Sequence, residues 1–87
     1  MFPMVATTPQ MLAHAVKEYR NLQKKSQTEV ATVANTKQST ISIFENDPTG
    51  TKIETLFNIL MALELELVVQ PRPKSRDILQ DEEGEIW

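Results

Sequence analysis

Lys37, Gln38, Ser39 and Ser42 lie close together in the stretch TKQSTISIFEN, residues 36 to 46, where hydroxyl and amide side chains surround Ile41, Ile43 and Phe44. Neutral donors and acceptors with one ammonium group among them suit multipoint hydrogen bonding to a polar surface rather than bond breaking. Groups able to break bonds are missing by type or by placement. The chain has no cysteine, which removes thiolate nucleophiles and thiolate metal sites together. His14 is the only histidine; flanked by alanines and with no second ligand at metal spacing, it reads as a structural or solvent-facing residue. Asp81, Glu82, Glu83 and Glu85 cluster near the C-terminus, in a stretch whose composition predicts disorder and hence no fixed catalytic geometry. No phosphate-cradling glycine loop or nucleophile elbow occurs. The sequence predicts a binding protein, not an enzyme, with no cofactor and no metal.

Helices must position the polar stretch. Thr8-Pro9 reads as an N-cap followed by proline at the first helical position, and Leu12, Ala15, Val16, Tyr19 and Leu22 follow at helical spacing. Lys17, Arg20 and Lys24 form a basic flank on that helix, of which Lys17 and Lys24, with Lys25 beyond it, read as solvated surface. Ser26-Gln27-Thr28-Glu29 fits a capping box and starts a short second helix with Val30, Ala31, Val33 and Ala34 as its apolar side. It ends at Asn35, a residue that tolerates positive φ. Thr36 is the expected cap of a third helix, in which Ile41, Phe44 and Glu45 share the inner face while Gln38, Ser39 and Ser42 share the outer one. Asp47-Pro48-Thr49-Gly50 predicts a turn, and Thr51-Lys52-Ile53-Glu54 a further capping box. The fourth helix that follows has Ile53, Leu56, Phe57, Leu60 and Leu63 as its expected core stripe.

After Leu63 the apolar period changes from 3.6 to 2: Leu65, Leu67 and Val69 alternate with Glu66, Val68 and Gln70 before Pro71 and Pro73. This predicts a single strand. One strand in a helical chain has unpaired backbone on both edges, and a second copy supplies the simplest partner, so a two-fold dimer with an intersubunit ribbon built on Leu65, Leu67 and Val69 is expected.

Eighty-seven residues suffice for one domain with a small core. The expected organisation is a flexible N-terminus over 1–7, a helical binding and dimerisation domain over 8–70 and a disordered acidic tail over 71–87. The net charge of −3 hides an asymmetry: up to Arg76 there are nine basic and seven acidic residues, and from Asp77 onward five acidic and no basic ones. A mildly basic body carrying an acidic tail is compatible with a nucleic-acid partner despite the pI near 5.0. No apolar run reaches membrane-spanning length and MFPMVATTPQ lacks the pattern of a secretory signal, which predicts a cytoplasmic, nucleoid-associated protein with no membrane partner.

Two short helices joined by a tight turn, the second exposing small polar residues near its N-terminus, form a helix-turn-helix pattern, although a helical hairpin in an ordinary four-helix protein would share these caps. In a recognition helix Gln38 could pair with adenine N6 and N7. Lys37 could reach a guanine edge or a phosphate, and Ser39 and Ser42 could meet base edges directly or through water. Gln27, Thr40, Asn46 and Lys52 are candidate phosphate contacts.

Residues 20 to 65 resemble the Cro/phage-repressor (XRE) helix-turn-helix family. The resemblance is carried by Arg20, Ser26-Gln27, Glu29-Val30-Ala31, Ser39-Thr40-Ile41-Ser42, Glu45-Asn46, Thr55-Leu56, Ile59-Leu60 and Ala62-Leu63. Lys24 and Asn35 stand where that family often has glycine, and Lys25 where it has an apolar residue. A left-handed Lys24 would cost about 1 kcal/mol. The pattern N-x-K-Q-x-T-I-S-x-F-E-N (residues 35–46), the strand after the fourth helix and the terminal Trp87 are similar to HipB-type antitoxins.

That resemblance implies a mainly α fold, a four- to five-helix XRE-type domain with one C-terminal strand pairing across a homodimer. It implies an Arg20–Glu45 structural ion pair, operator double-stranded DNA as one partner and a HipA-type Ser/Thr kinase toxin as the other, with autorepression of the operon. Ile86 and Trp87, behind an acidic run, are candidate anchors on the toxin; Trp87 could equally be a degradation handle or inert. A stand-alone phage-type repressor and a protein-binding inhibitor without DNA binding are the alternatives.

Overall fold

In a computed structural model, which describes residues 3–73, Thr8 turns the chain into helix α1 (Pro9–Leu22). Its hydroxyl accepts from the Met11 N–H at 3.0 Å, while Pro9 takes the first helical position, where its missing N–H has no intrahelical partner to lose. Helix α2 (Gln27–Val33) opens with the expected reciprocal box: the Glu29 N–H donates to Ser26 Oγ at 3.0 Å and the Ser26 N–H to Glu29 Oε1 at 2.7 Å. Helix α3 (Gln38–Asn46), a 3-10 turn (Pro48–Gly50) and helix α4 (Ile53–Ala62) complete the framework. The fold is mainly α.

Two expected caps are displaced by one residue. The N-caps of α3 and α4 are Lys37 and Lys52, and neither supplies a side-chain hydrogen bond. In the preceding turns the Thr36 N–H donates to Ala31 O at 2.9 Å and the Thr51 N–H to Pro48 O at 2.9 Å, so the Thr51 N–H is not free to complete a box with Glu54.

Three helices end in the same way. Lys24, Asn35 and Glu64 have φ of 57°, 57° and 58°, the left-handed region that disfavours side chains with a Cβ. At each, two backbone bonds close the helix: Lys25 N to Arg20 O and Lys24 N to Asn21 O; Thr36 N to Ala31 O and Asn35 N to Thr32 O; Leu65 N to Leu60 O and Glu64 N to Met61 O. This is the Schellman pattern, which satisfies carbonyls the helix would otherwise leave open. Lys24 and Asn35 fulfil the expectation for the turn positions, and Glu64 adds a third.

The core is one cluster from all four helices. Ala13 and Val16 of α1, Val30, Ala31 and Ala34 of and after α2, Ile41 and Phe44 of α3, and Ile59, Leu60, Ala62 and Leu63 at the end of α4 are buried together, with Leu12, Leu56 and Leu65 packed on its rim. Small alanines let α2 and α3 approach closely, and these two helices share the most extensive contact. Gln23 Nε2 donates to Leu63 O at 2.8 Å, tying the end of α1 to the end of α4.

Parts of the expected apolar stripes face outward. Leu22 and Val33 are exposed, and α4 buries Leu56, Ile59, Leu60 and Leu63 while Ile53, Phe57 and Met61 stand 71, 48 and 56% exposed in a row at i, i+4, i+8. Ile53 and Phe57 therefore belong to a second apolar face of α4 rather than to this chain's own core. Residues 65–73 continue without helix, and among the described residues no sheet ladder forms. No helix of the described residues is long and apolar enough to cross a membrane.

Candidate nucleic-acid interface

Ile41 and Phe44 point inward, 1 and 2% exposed, and fix the roll of α3 so that its opposite side faces solvent. Lys37, Gln38 and Ser39 are exposed at its N-terminal end; Thr40 and Ser42 are half-buried beside them, and Asn46 is exposed at the far end. Lys37, Gln38, Ser39 and Ser42 are thus brought to one surface. Asn46 bends back along it, Nδ2 donating to Ser42 O at 2.8 Å. Lys52 lies exposed at the start of α4, across the 3-10 turn from that end of α3.

Beneath this face runs a chain of side-chain hydrogen bonds. Arg20 of α1 donates from Nε to Glu45 Oε2 at 2.6 Å and from Nη2 to Glu45 Oε1 at 3.0 Å, while its Nη1 donates to Lys25 O at 2.8 Å. Gln27 Nε2 donates to the same Glu45 Oε1 at 2.9 Å, and Gln38 Nε2 donates to Gln27 Oε1. The side chains of Arg20 and Glu45 are only 11 and 2% exposed. Burial opposes ionisation of Glu45, but the hydrogen bonds from Arg20 and Gln27 and the nearby charges of Arg20 and Lys17 outweigh it and hold the carboxyl below the ordinary glutamate range. Gln27, the expected phosphate contact, is seated between Glu45 and Gln38, with one Nε2 hydrogen left over.

Ile43 was absent from the expected contacts. It is 59% exposed on the outer side of α3, four residues after Ser39 and next to Ser42. Its position two residues from buried Ile41, about 200° around the helix, was the signal that places it outward.

Leu65 packs on the rim of the core, whereas Leu67 and Val69 are exposed, Val69 at 91%. Ile86 and Trp87 lie outside the described residues. Among the described residues no group of His, Cys, Asp or Glu could hold a metal ion.

A helix, a tight turn and a second helix rolled to expose polar side chains at its N-terminal end define a helix-turn-helix. Residues 16–69 match the helix-turn-helix family model HTH_3. Over 62 residues the chain is 42% identical to the antitoxin HipB of Escherichia coli strain K12, covering 71% of this chain and 70% of that protein. The HipB of Escherichia coli O6:H1 strain CFT073 is equally similar, with 66% of its length spanned. A chain in a solved HipA-HipB-O2-O3 complex superposes with a TM-score of 0.78 at 38% identity, over 83% of this chain and all of that one. The chain belongs to the helix-turn-helix family, within its HipB-type antitoxin branch.

Proposed function

We propose that the chain acts as a dimeric repressor and antitoxin: α3 of each copy enters the major groove of operator DNA at its own promoter, and the dimer holds a HipA-type Ser/Thr kinase inactive. The single observation that carries the DNA-binding half is the roll of α3, which buries Ile41 and Phe44 and leaves Lys37, Gln38 and Ser39 exposed with no carboxylate among them. Carboxylates there would repel phosphate oxygens. Gln38 reads adenine, Lys37 a guanine edge or a phosphate, and Ser39 and Ser42 adjacent edges; Ile43 meets a thymine methyl. Thr40, Asn46, Lys52 and the remaining N–H of Gln27 contact phosphates.

Dimerisation is supported by the apolar surface that one copy leaves uncovered. Ile53, Phe57 and Met61 on α4 and Leu67, Val68 and Val69 beyond it are all exposed, and the backbone of residues 65–70 lacks a ladder partner among the described residues. A second copy related by two-fold symmetry covers the first face and pairs the second segment as a ribbon. The two recognition helices then reach half-sites about 34 to 36 Å apart.

The kinase half rests on likeness to HipB, which a solved structure shows in a HipA-HipB-O2-O3 complex. Purification of the full chain from its native host tests both halves together. A Ser/Thr kinase and a DNA fragment from upstream of the chain's own coding sequence are expected to accompany it. Recovery with neither contradicts the proposal, and recovery with DNA alone leaves the stand-alone repressor.

A further inference from the structure

Glu45 sits on the inner face of α3, yet its hydrogen bonds lead outward to the surface just described. Arg20 Nη2 and Gln27 Nε2 both donate to its Oε1, at 3.0 and 2.9 Å. An ionised carboxylate offers acceptors and no donor, so the amide of Gln27 has a single favourable orientation before it, nitrogen toward Glu45 and oxygen away. That oxygen faces Gln38 and accepts from its Nε2. A second amide is oriented in its turn. Gln38 keeps one N–H and its Oε1, a donor beside an acceptor, which complements N7 and the N6 amino group of adenine. Guanine presents two acceptors, N7 and O6, at the same place.

We propose that Glu45 is a positioning residue for base selection: acting through Gln27, its carboxylate fixes the polarity of the Gln38 amide and so sets the preference for adenine over guanine. This rests on the assignment of Gln38 as a base-contacting residue. An amide turned by 180° fills the same space and exchanges its donors for its acceptor, so packing alone does not choose between the two readouts. The chemistry at the buried end of the chain does. Arg20 serves by keeping Glu45 ionised, consistent with the lowered pKa of that carboxyl.

The test uses the full-length chain and a pool of duplexes with a randomised centre, enriched on the wild-type protein. Affinities are measured for the enriched duplex and its single-base variants with wild type, Gln38→Ala, Gln27→Leu and Glu45→Gln, each first checked by thermal melting. Gln27→Leu leaves the Arg20–Glu45 pair intact and so keeps the fold. Gln38→Ala identifies the base pair concerned. At that pair, Gln27→Leu and Glu45→Gln are expected to reduce the preference for adenine over guanine by about tenfold. Affinity of Glu45→Gln for an unrelated duplex should stay within about twofold, since non-specific binding is carried by phosphate contacts and Glu45 makes none. Gln27→Leu also loses its own phosphate contact, on every duplex alike, so for that variant the preference alone is read. A purely structural role would instead weaken all duplexes alike. A uniform loss in Glu45→Gln with the preference for adenine kept, or an unchanged preference in folded Gln27→Leu, overturns the inference. If Gln38→Ala itself leaves every preference unchanged, the assignment of Gln38 falls, and the inference with it.

Discussion

Arg20 grips Glu45 across 25 residues of sequence, with both carboxylate oxygens engaged at 2.6 and 3.0 Å and both side chains nearly closed to water. The pair joins α1 to the last turn of α3 and so holds the recognition face at a fixed angle to the rest of the domain. Removing one partner strands the other charge in a poorly solvated place, which costs about 3 to 5 kcal/mol in comparable buried pairs. Glu45→Ala is therefore expected to lower the denaturant midpoint severely, and simultaneous replacement of both residues by apolar ones to cost less than the single change.

The same pair gives stability a pH dependence of definite sign. The folded-state pKa of Glu45 lies below its ordinary value, so its contribution is complete above the pKa of the unfolded chain and is lost as pH falls through the folded value. Thermal melts from neutral to acidic pH should show wild type losing stability more steeply than Glu45→Gln across that window. Parallel curves for the two proteins would remove Glu45 as the source.

Lys24 and Glu64 occupy left-handed positions that glycine takes without a Cβ penalty. Lys24→Gly and Glu64→Gly should each raise stability by about 1 kcal/mol, and Asn35→Gly by less, because asparagine already tolerates this region. The two sites end different helices, so their effects should add in the double variant. Chemical denaturation of wild type and the four variants measures this directly.

The uncovered row on α4 makes a prediction about assembly. Phe57→Glu places a charge in the middle of Ile53, Phe57 and Met61, a position exposed in the single chain and covered in the proposed dimer. Sedimentation should show a dimer for wild type and a monomer for the variant at the same micromolar concentration, with helical content retained. A dimer that survives the charge would place the interface elsewhere.

Ile43 predicts a dependence on a methyl group. Replacing thymine by uracil at the base under Ile43 should weaken wild-type binding by roughly 1 kcal/mol and leave Ile43→Ala nearly indifferent to the change. Equal sensitivity in both proteins would exclude the contact.

Much of this architecture was readable before any coordinates. Thr8-Pro9 and Ser26-Glu29 announce helix starts because their bonds are local, closing within three residues. The roll of α3 followed from Ile41 and Phe44 at spacing three. Thr36 and Thr51 are not the caps, since each lies one residue before the N-cap, with its N–H closing the preceding turn, an offset that residue types do not display. Glu64 went unnoticed because LELELVV alternates with period two, and alternation hides a single left-handed residue at its start. Periodicity likewise marked Ile53 and Phe57 as apolar face but could not say whose core they fill. Gln27 is a candidate phosphate contact by its place near the start of α2, whereas its link to Glu45 and Gln38 depends on α2 packing against α3.

The most direct test of the recognition face is a binding titration of the full chain against the enriched duplex over a range of salt concentrations, with wild type and Gln38→Ala side by side. Affinity should fall steeply and linearly on a log–log plot against salt, and Gln38→Ala should lose about 1 to 3 kcal/mol of discrimination at one base pair while keeping a similar salt slope. Salt-independent binding, or a Gln38→Ala protein that discriminates as well as wild type, would contradict a recognition helix laid in the groove.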